Sequence, residues 1–425
     1  MQAQVGAGVQ EEGISDLGVV ETEGRIQLPV FPVPVLNQPV GGRLSLYIEN
    51  WKRITKDAFV LSVVEHGYAI KFWEKPPLTC IPKPSRLPAD PEKRRAIVEQ
   101  LQVLLDKNVV EEVKDTKSPG FYNRFFVTPK KEPGKWRSIL DLSKLGQNYI
   151  PRQGFKMETA EDVRAVLEAE EWATSLDFTD AYFHVLIHKK SRKYLRFCLF
   201  GRVYQFRALP MGLCTAARIF TRLIKVVKEY VQRLGVFLHQ YIDDWLVHAR
   251  DPRTVADHTR LVKHIAESLG YVINVKKSEL IPSQDFVYLG LNFKLAQGLV
   301  APSEDRWERL QKVINLFIER STHKAVVWKY IIWRIVSMER EVRLGILHVR
   351  QFQVALKDQW TQRSGRQEDL VLMSQDVVKL LDWWRDREKV MSGVPFRKQK
   401  HQLQIFTDAS TSGWGGYVSL EDRKG

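Results

Sequence analysis

The chain has 425 residues, 44% hydrophobic and 27% charged, a globular composition too long for one ordinary core, so two or three domains are expected. Its 65 Lys and Arg against 50 Asp and Glu leave a net charge of +15, which favours a polyanionic partner over a merely soluble surface. Three scattered cysteines (Cys80, Cys198 and Cys214) make neither a disulfide framework nor a zinc spacing. With no leader-like N-terminus and no run of eighteen apolar residues, the expectation is a soluble, intracellular protein with no membrane contact.

Residues 1–42 are acidic, then proline-spaced, and poor in aromatic residues, so they are expected to be disordered. From residue 43 the chain turns globular with Trp51, Phe59, Tyr68 and Phe72, and residues 76–91 read as a proline-rich linker closing a 43–90 extension. Asp90-Pro91 then opens a helix: Asp caps it, and Pro takes the first turn where its missing N–H costs nothing. Ile97, Leu101 and Leu104 give that helix one buried face. Two extended apolar runs, 121–128 and 136–142, flank Pro133-Gly134 and predict a hairpin with a lysine-rich tip.

A strand over 172–178 carries Asp177 near its end, and 216–234 is an amphipathic helix stopped by Gly235. Two short apolar runs, 236–242 and 245–248, flank Asp243-Asp244, and 304–320 is a further amphipathic helix. Between Ala181 and Gln240 twelve Lys and Arg face a single acid, Glu229, and Tyr182, Phe183, Tyr194, Phe197, Phe200, Tyr204 and Phe206 alternate with them. Cations interleaved with aromatics suit a groove that tracks a phosphate backbone and stacks bases; the plainer alternative is a strand-rich core. His184 and His188 lie in what reads as an extended segment, where residues four apart stand about 13 Å apart, so metal ligation by the pair is not expected.

Two adjacent carboxylates at a strand-to-strand turn are ordinarily a solvated loop. A third, Asp177, at the end of an apolar strand changes the balance. The three together are the oxygen donors of a two-metal site, in which one ion activates an attacking 3′-oxygen and the other steadies a leaving pyrophosphate.

Asp177-Phe-Thr-Asp-Ala-Tyr182, Leu209-Pro-Met-Gly212 and Tyr241-Ile-Asp-Asp244 stand in the order of the motifs of retroelement reverse transcriptases, which the chain resembles over roughly residues 43–420. Tyr194-Leu-Arg-Phe197, Ile273-Asn-Val-Lys-Lys-Ser278, Ile281-Pro-Ser-Gln284 and Tyr288-Leu-Gly290 are similar to the DIRS-like, tyrosine-recombinase retrotransposons. The resemblance implies an α+β right-hand polymerase: fingers and palm over 91–300 with an antiparallel palm sheet, a helical thumb and connection over 301–400, and a ribonuclease H start over 401–425. It implies catalysis by Asp177, Asp243 and Asp244 with two Mg²⁺ ions, for which Mn²⁺ could substitute, and a metal-directed backbone carbonyl from Phe178. Lys130, Arg137, Asp180, Ala181, Met211 and Gly212 would contact the incoming dNTP, Tyr182 would exclude a ribose 2′-OH, and Lys277 would protonate pyrophosphate.

Plainer roles fit some of these residues too: a turn cap for Asp180, a strand-edge cation for Arg137, a core ring for Tyr182, a surface lysine for Lys277. Met211, Gly146, Ala217 and Trp245 depart from the motif pattern. Ile405-Phe-Thr-Asp408 resembles the first strand of a ribonuclease H domain, with Asp408 its first carboxylate and the remaining acids not supplied within this sequence. The implied partners are an RNA or DNA template with primer and dNTPs, with a tyrosine recombinase and a complete ribonuclease H encoded elsewhere in the element. An RNA-dependent RNA polymerase is disfavoured by Tyr182 and by Tyr241 before Ile-Asp-Asp. A decayed fragment that binds nucleic acid without catalysis is disfavoured by the intact carboxylates.

Overall fold

The computed structural model describes residues 28–31, 38–115, 117–130, 132–361, 365–396, 403–410 and 412–420. The expected disorder of residues 1–42 therefore falls largely outside the described residues. Of those described, Val40 is buried, and the Gly41 and Gly42 N–H groups donate to the carbonyls of Lys107 and Phe183. The chain divides into two compact units, the first Met1–Met157, Leu176–Val247 and Arg253–Leu280, the second Glu158–Ser175, His248–Pro252 and Ile281–Gly425.

In the first unit, helix Pro91–Asp106 starts as its sequence dictates. Asp90 accepts from the Glu92 N–H, Pro91 occupies the first turn, and Ala96, Ile97, Leu101 and Leu104 are buried. The lysine-tipped hairpin pairs Arg124–Pro129 antiparallel with Trp136–Asp141, setting Thr128 opposite Arg137. Val110–Glu112, Arg202–Phe206 and Arg196–Leu199 form a three-stranded antiparallel sheet in that order. Helix Ala216–Arg233 buries Ile219, Phe220, Leu223, Val227 and Tyr230 into a core shared with Trp51, Phe178, Trp245 and Tyr271.

Strands Phe237–Tyr241 and Asp244–Ala249 flank the aspartate pair, and Asp177 ends strand Trp172–Asp177. Leu176–Asp177, Phe237–Tyr241 and the start of the Asp244 strand lie within the first unit.

The second unit has its own core. Helices Glu304–Ile318, Ala325–Val336, Gly345–Thr361 and Gln375–Arg385 close around Trp328, Phe352 and Trp384. Asp285–Tyr288, Leu291–Lys294, Leu299–Pro302 and Val394–Pro395 make a small antiparallel sheet. Leu403–Ala409 pairs with Trp414–Leu420 as a two-stranded hairpin that leaves Ile405, Phe406, Trp414, Tyr417 and Val418 exposed.

One sequence reading is corrected here. Most aromatic residues between Ala181 and Gln240 are core rather than a stacking surface: Phe183, Tyr194, Phe197, Tyr204, Phe206, Phe220 and Tyr230 are buried, Tyr182 is half-buried, and Phe200 and Phe237 are exposed. Arg192 and Arg196 of that stretch are buried as well, the first paired with Glu111 and the second donating to the Ser118 carbonyl. The stretch between the two histidines is extended, as expected: Val185 is in the extended region and Leu186 and Ile187 bridge Ala208 and Tyr68, while the flanks turn, Ala181–His184 as a 3-10 turn after the left-handed Asp180 (φ 53°) and Lys189–Arg192 as a short helix capped by His188.

Candidate active site

Asp177 is fixed on both sides by one tight turn. Its N–H donates to Ser278 Oγ at 3.0 Å, its carbonyl accepts from the Asn274 N–H at 2.8 Å, and the Ser278 hydroxyl closes the turn on the Asn274 carbonyl at 2.8 Å. The Asn274 side chain also hydrogen-bonds the Asp177 carboxylate. Asn274 and Ser278 stand in a stretch that sequence reasoning treated only as a family marker. The signal was the Asn-x-x-x-Ser spacing, which places two short polar side chains on one turn.

Asp243 belongs to the two-residue tip Ile242-Asp243 between strands Phe237–Tyr241 and Asp244–Ala249. A tip this short needs a positive φ, and here it falls on Ile242 (φ 57°). A β-branched residue in the left-handed region costs roughly 1–2 kcal/mol and persists only where its surroundings over-determine it. Two contacts do so: the buried Trp245 indole N–H donates to the Ile242 carbonyl at 3.2 Å, and the Asp243 carbonyl accepts from the Phe178 N–H at 3.3 Å. The second bond ties the tip to the strand that carries Asp177. Trp245 is thus the tip's brace.

The three carboxylates feel one another. Asp244 lies at the surface, yet crowding around its carboxyl and the neighbouring charges of Asp243 and Asp177 push its pKa up to about 6. Asp177 is also raised, by desolvation against the relief supplied by Lys277 and Asn274. Lys277 therefore lies within electrostatic reach of Asp177 and Asp244. It reaches Glu132 of the hairpin formed by Arg124–Pro129 and Trp136–Asp141 too, where Lys135, Lys130 and Lys277 together hold the carboxyl below its ordinary value. The Lys277 N–H itself closes the Asn274 turn at 3.1 Å.

Three carboxylates and a strand-end carbonyl are hard oxygen donors, the chemistry that suits Mg²⁺, and their mutual repulsion is what a divalent cation would relieve. Among the described residues, no three His, Cys, Asp or Glu side chains already stand grouped closely enough to hold an ion. The donor set fits in kind and leaves the ligand distances open.

The remaining sequence-identified residues surround this centre unevenly. Tyr182 is half-buried with its ring edge-on to Phe220 at 5.4 Å, and burial with the Asp243 and Tyr241 charges drives its hydroxyl to a pKa of about 12. The Asp180 side chain pairs with Lys107 at 2.5 Å. Ala181 is buried. Met211 is exposed, and Gly212 takes φ 95°, a conformation closed to most side chains. Lys130 and Arg137 are exposed, Lys130 beside the hairpin tip, where its N–H donates to the Lys135 carbonyl at 2.7 Å. His184 is fully buried between the Ala181 carbonyl (Nδ1, 3.0 Å) and the Val272 N–H (donating to Nε2, 3.0 Å), so its Nδ1 carries the proton. Asp408 lies in the C-terminal hairpin opposite Gly415, and its carboxylate accepts from the Ala409 N–H at 2.9 Å.

Residues 128–293 match the family described as reverse transcriptase (RNA-dependent DNA polymerase). The chain is 25% identical over 356 residues to the Gag-Pol polyprotein of bovine immunodeficiency virus (strain R29), covering 76% of this chain and 23% of that one. It is 25% identical over 251 residues to the Pro-Pol polyprotein of simian foamy virus type 1, covering 56% and 21%. The chain spans about a fifth of the length of these curated relatives. Among solved structures it is similar to a foamy viral protease-reverse transcriptase in complex with double-stranded DNA. One form gives a TM-score of 0.62 at 15% identity over 91% of this chain and 70% of that one, and a second gives 0.61 at 15% over 92% and 83%. The segment that carries the three aspartates therefore matches the reverse transcriptase family, and the chain shares the polymerase fold of these viral structures.

Proposed function

We propose that the chain is an RNA-directed DNA polymerase that extends a primer 3′-OH with dNTPs on a nucleic-acid template. The observation that carries this reading is the Phe178–Asp243 backbone bond, inside the matched segment, which ties the Asp177 strand to the Asp243-Asp244 tip and leaves the carboxylates close enough to raise the Asp244 pKa. Asp177, Asp243, Asp244 and the Phe178 carbonyl would hold Mg²⁺, with Mn²⁺ as a substitute. Such ions supply charge for the attacking oxygen and the departing pyrophosphate.

The chain's own residues do the positioning. Lys130 and Arg137 bring exposed cations to the triphosphate, while the backbone at Asp180 and Ala181 lines it. The Tyr182 ring, backed by Phe220, fills the space a 2′-hydroxyl would need. Its high pKa keeps the hydroxyl neutral beside the carboxylates. Gly212 and Met211 shape the floor under the nascent pair. Lys277, poised between the aspartates and Glu132, is the candidate proton donor to pyrophosphate.

Motifs such as Ile273-Asn-Val-Lys-Lys-Ser278 support reading the parent element as DIRS-like, with a tyrosine recombinase encoded elsewhere. Hairpin Leu403–Leu420 reads as the opening of a ribonuclease H domain, with Asp408 as its first acid. No helix among the described residues is long and apolar enough to cross a membrane.

The test is extension of a DNA primer on an RNA template with dNTPs and Mg²⁺, beside Asp243→Asn and Asp244→Asn. Extension by the parent chain that both variants lose supports the reading. A folded chain that binds the duplex and extends nothing overturns it.

A further inference from the structure

The aspartate tip rests on a stack of buried rings that reaches outside the reverse transcriptase segment. Trp245, whose indole N–H holds the Ile242 carbonyl, meets Phe178 edge-on at 4.6 Å. Phe178 stacks on Tyr271 at 5.0 Å and 21° between planes. Tyr271 meets Trp51 at 6.1 Å, and the Trp51 indole N–H donates to the Leu269 carbonyl at 2.9 Å. The neighbouring Asn50 side chain donates to the Ser268 carbonyl at 2.6 Å, a second tie at the same helix end. Tyr271 also contacts Phe220, the ring on which Tyr182 leans, and His184. All four rings of the column are 2% exposed or less.

We propose that this column, Trp51–Tyr271–Phe178–Trp245, is a positioning device that holds the strained Ile242-Asp243 tip in register with Asp177, with Tyr271 its hub and the N-terminal helix Ile48–Ile54 its anchor. It rests on the reading of the aspartates as the reaction centre. Three features argue for positioning beyond ordinary packing. The column ends on a hydrogen bond to the one residue of the tip that sits in a disfavoured conformation. The same hub supports both sides of the site, the tip through Trp245 and the Tyr182 ring through Phe220. Its outermost member lies far from residues 128–293 in sequence, so the domain's centre is completed by a helix that precedes it.

Tyr271 also carries a cost that packing alone would not select. Its hydroxyl is buried with no hydrogen-bond partner among the described residues, and burial pushes its pKa far up. The ring, not the hydroxyl, is what the column uses.

The test uses the full chain with Trp245→Phe, Tyr271→Leu, Trp51→Leu and the conservative Tyr271→Phe. Leu381→Ala, in the core of the second unit, serves as an equally destabilising control. Two readouts are taken: kcat and KM for dNTP in primer extension, and hydrogen exchange of the peptide spanning 237–249. Trp245→Phe and Tyr271→Leu are expected to lower kcat about ten-fold or more with KM within about two-fold, since a small displacement of reacting groups is costly. Both should also speed exchange at the tip, and Trp51→Leu should do the same at longer range. Tyr271→Phe should restore parental kcat and exchange. Unchanged exchange at 237–249 in Tyr271→Leu, or an equal loss of kcat in Leu381→Ala, overturns the proposal. A parent chain without activity would sink the polymerase reading alone, because the exchange measurement still decides the column.

Discussion

The first unit contains two β-hairpins that bear on the candidate site, and they are built on opposite principles. The fingers hairpin, Arg124–Pro129 with Trp136–Asp141, turns where its sequence wants to turn: Gly134 supplies φ 73° with nothing within 4 Å of where a Cβ would stand. The palm hairpin, Phe237–Tyr241 with Asp244–Ala249, turns at an isoleucine in a left-handed conformation, held by Trp245 and by the Phe178 backbone. One tip turns at a glycine in open space, and the side chains of Lys130, Glu132 and Lys135 there are exposed. The other is made against its own propensity and is expensive to displace, as a group that must not move during chemistry requires.

The largest effect expected from this contrast is at the palm tip. Asp243→Asn, Asp244→Asn or Asp177→Asn should each cut kcat by at least about 10³-fold, the scale on which one charged group in a preorganised centre is felt. Stability should hold or rise, because each change removes one of three mutually repelling charges. Equilibrium unfolding beside single-turnover extension checks both halves. Loss of activity accompanied by loss of fold would make these residues structural.

Next comes the buried support under the palm. His184 has its pKa lowered from 6.5 to about 4, chiefly by burial. Between those values the unfolded chain binds the proton and the folded chain does not, so stability rises with pH there. The contribution is complete above pH 6.5 and is lost as pH falls toward 4, on the order of 2 kcal/mol at pH 5. Denaturant midpoints at pH 7.5 and pH 5 should differ by that much in the parent and by less in His184→Gln. Equal slopes in the two would remove His184 from the account.

The fingers hairpin should respond differently. Lys130→Ala and Arg137→Ala should raise KM for dNTP about ten-fold, near 1.4 kcal/mol, with unfolding unchanged, because both side chains are exposed. An unaltered KM would return Arg137 to the role of a strand-edge cation.

How much of this was legible follows the same division. Pro133-Gly134, the Asp90-Pro91 start and the stripe from Ile219 to Tyr230 are local signals, written in residues within a turn or two of one another, and the elements they predict are present. The aspartates were legible through their motifs. The supports were not, because they are long-range: Trp51 reaches the Leu269 carbonyl, and Asn123 holds the carbonyls of Tyr194 and Arg196. The misreading of the aromatic-rich stretch has a related cause. In strand Arg196–Leu199 every residue is buried, so alternation along the strand carried no information about which face meets solvent. Arg196 looked like a groove cation because its partner, Ser118, is nowhere near it in sequence.

The smallest effect sharpens the contrast most. Gly134→Ala meets no atoms, so its whole cost is the left-handed backbone, about 1 kcal/mol, confined to the tip. Its effect on the unfolding midpoint should be slight, while exchange of the amides of 130–136 rises and KM for dNTP follows it upward. The corresponding change at the palm, Ile242→Gly, removes a comparable strain and also removes a side chain packed on the core. Relief and loss there should nearly cancel in stability, yet kcat should fall, because a glycine tip no longer transmits the hold of Trp245. If instead Ile242→Gly keeps kcat while Gly134→Ala lowers it, the two hairpins have exchanged roles, and the rigid element of the site is the fingers.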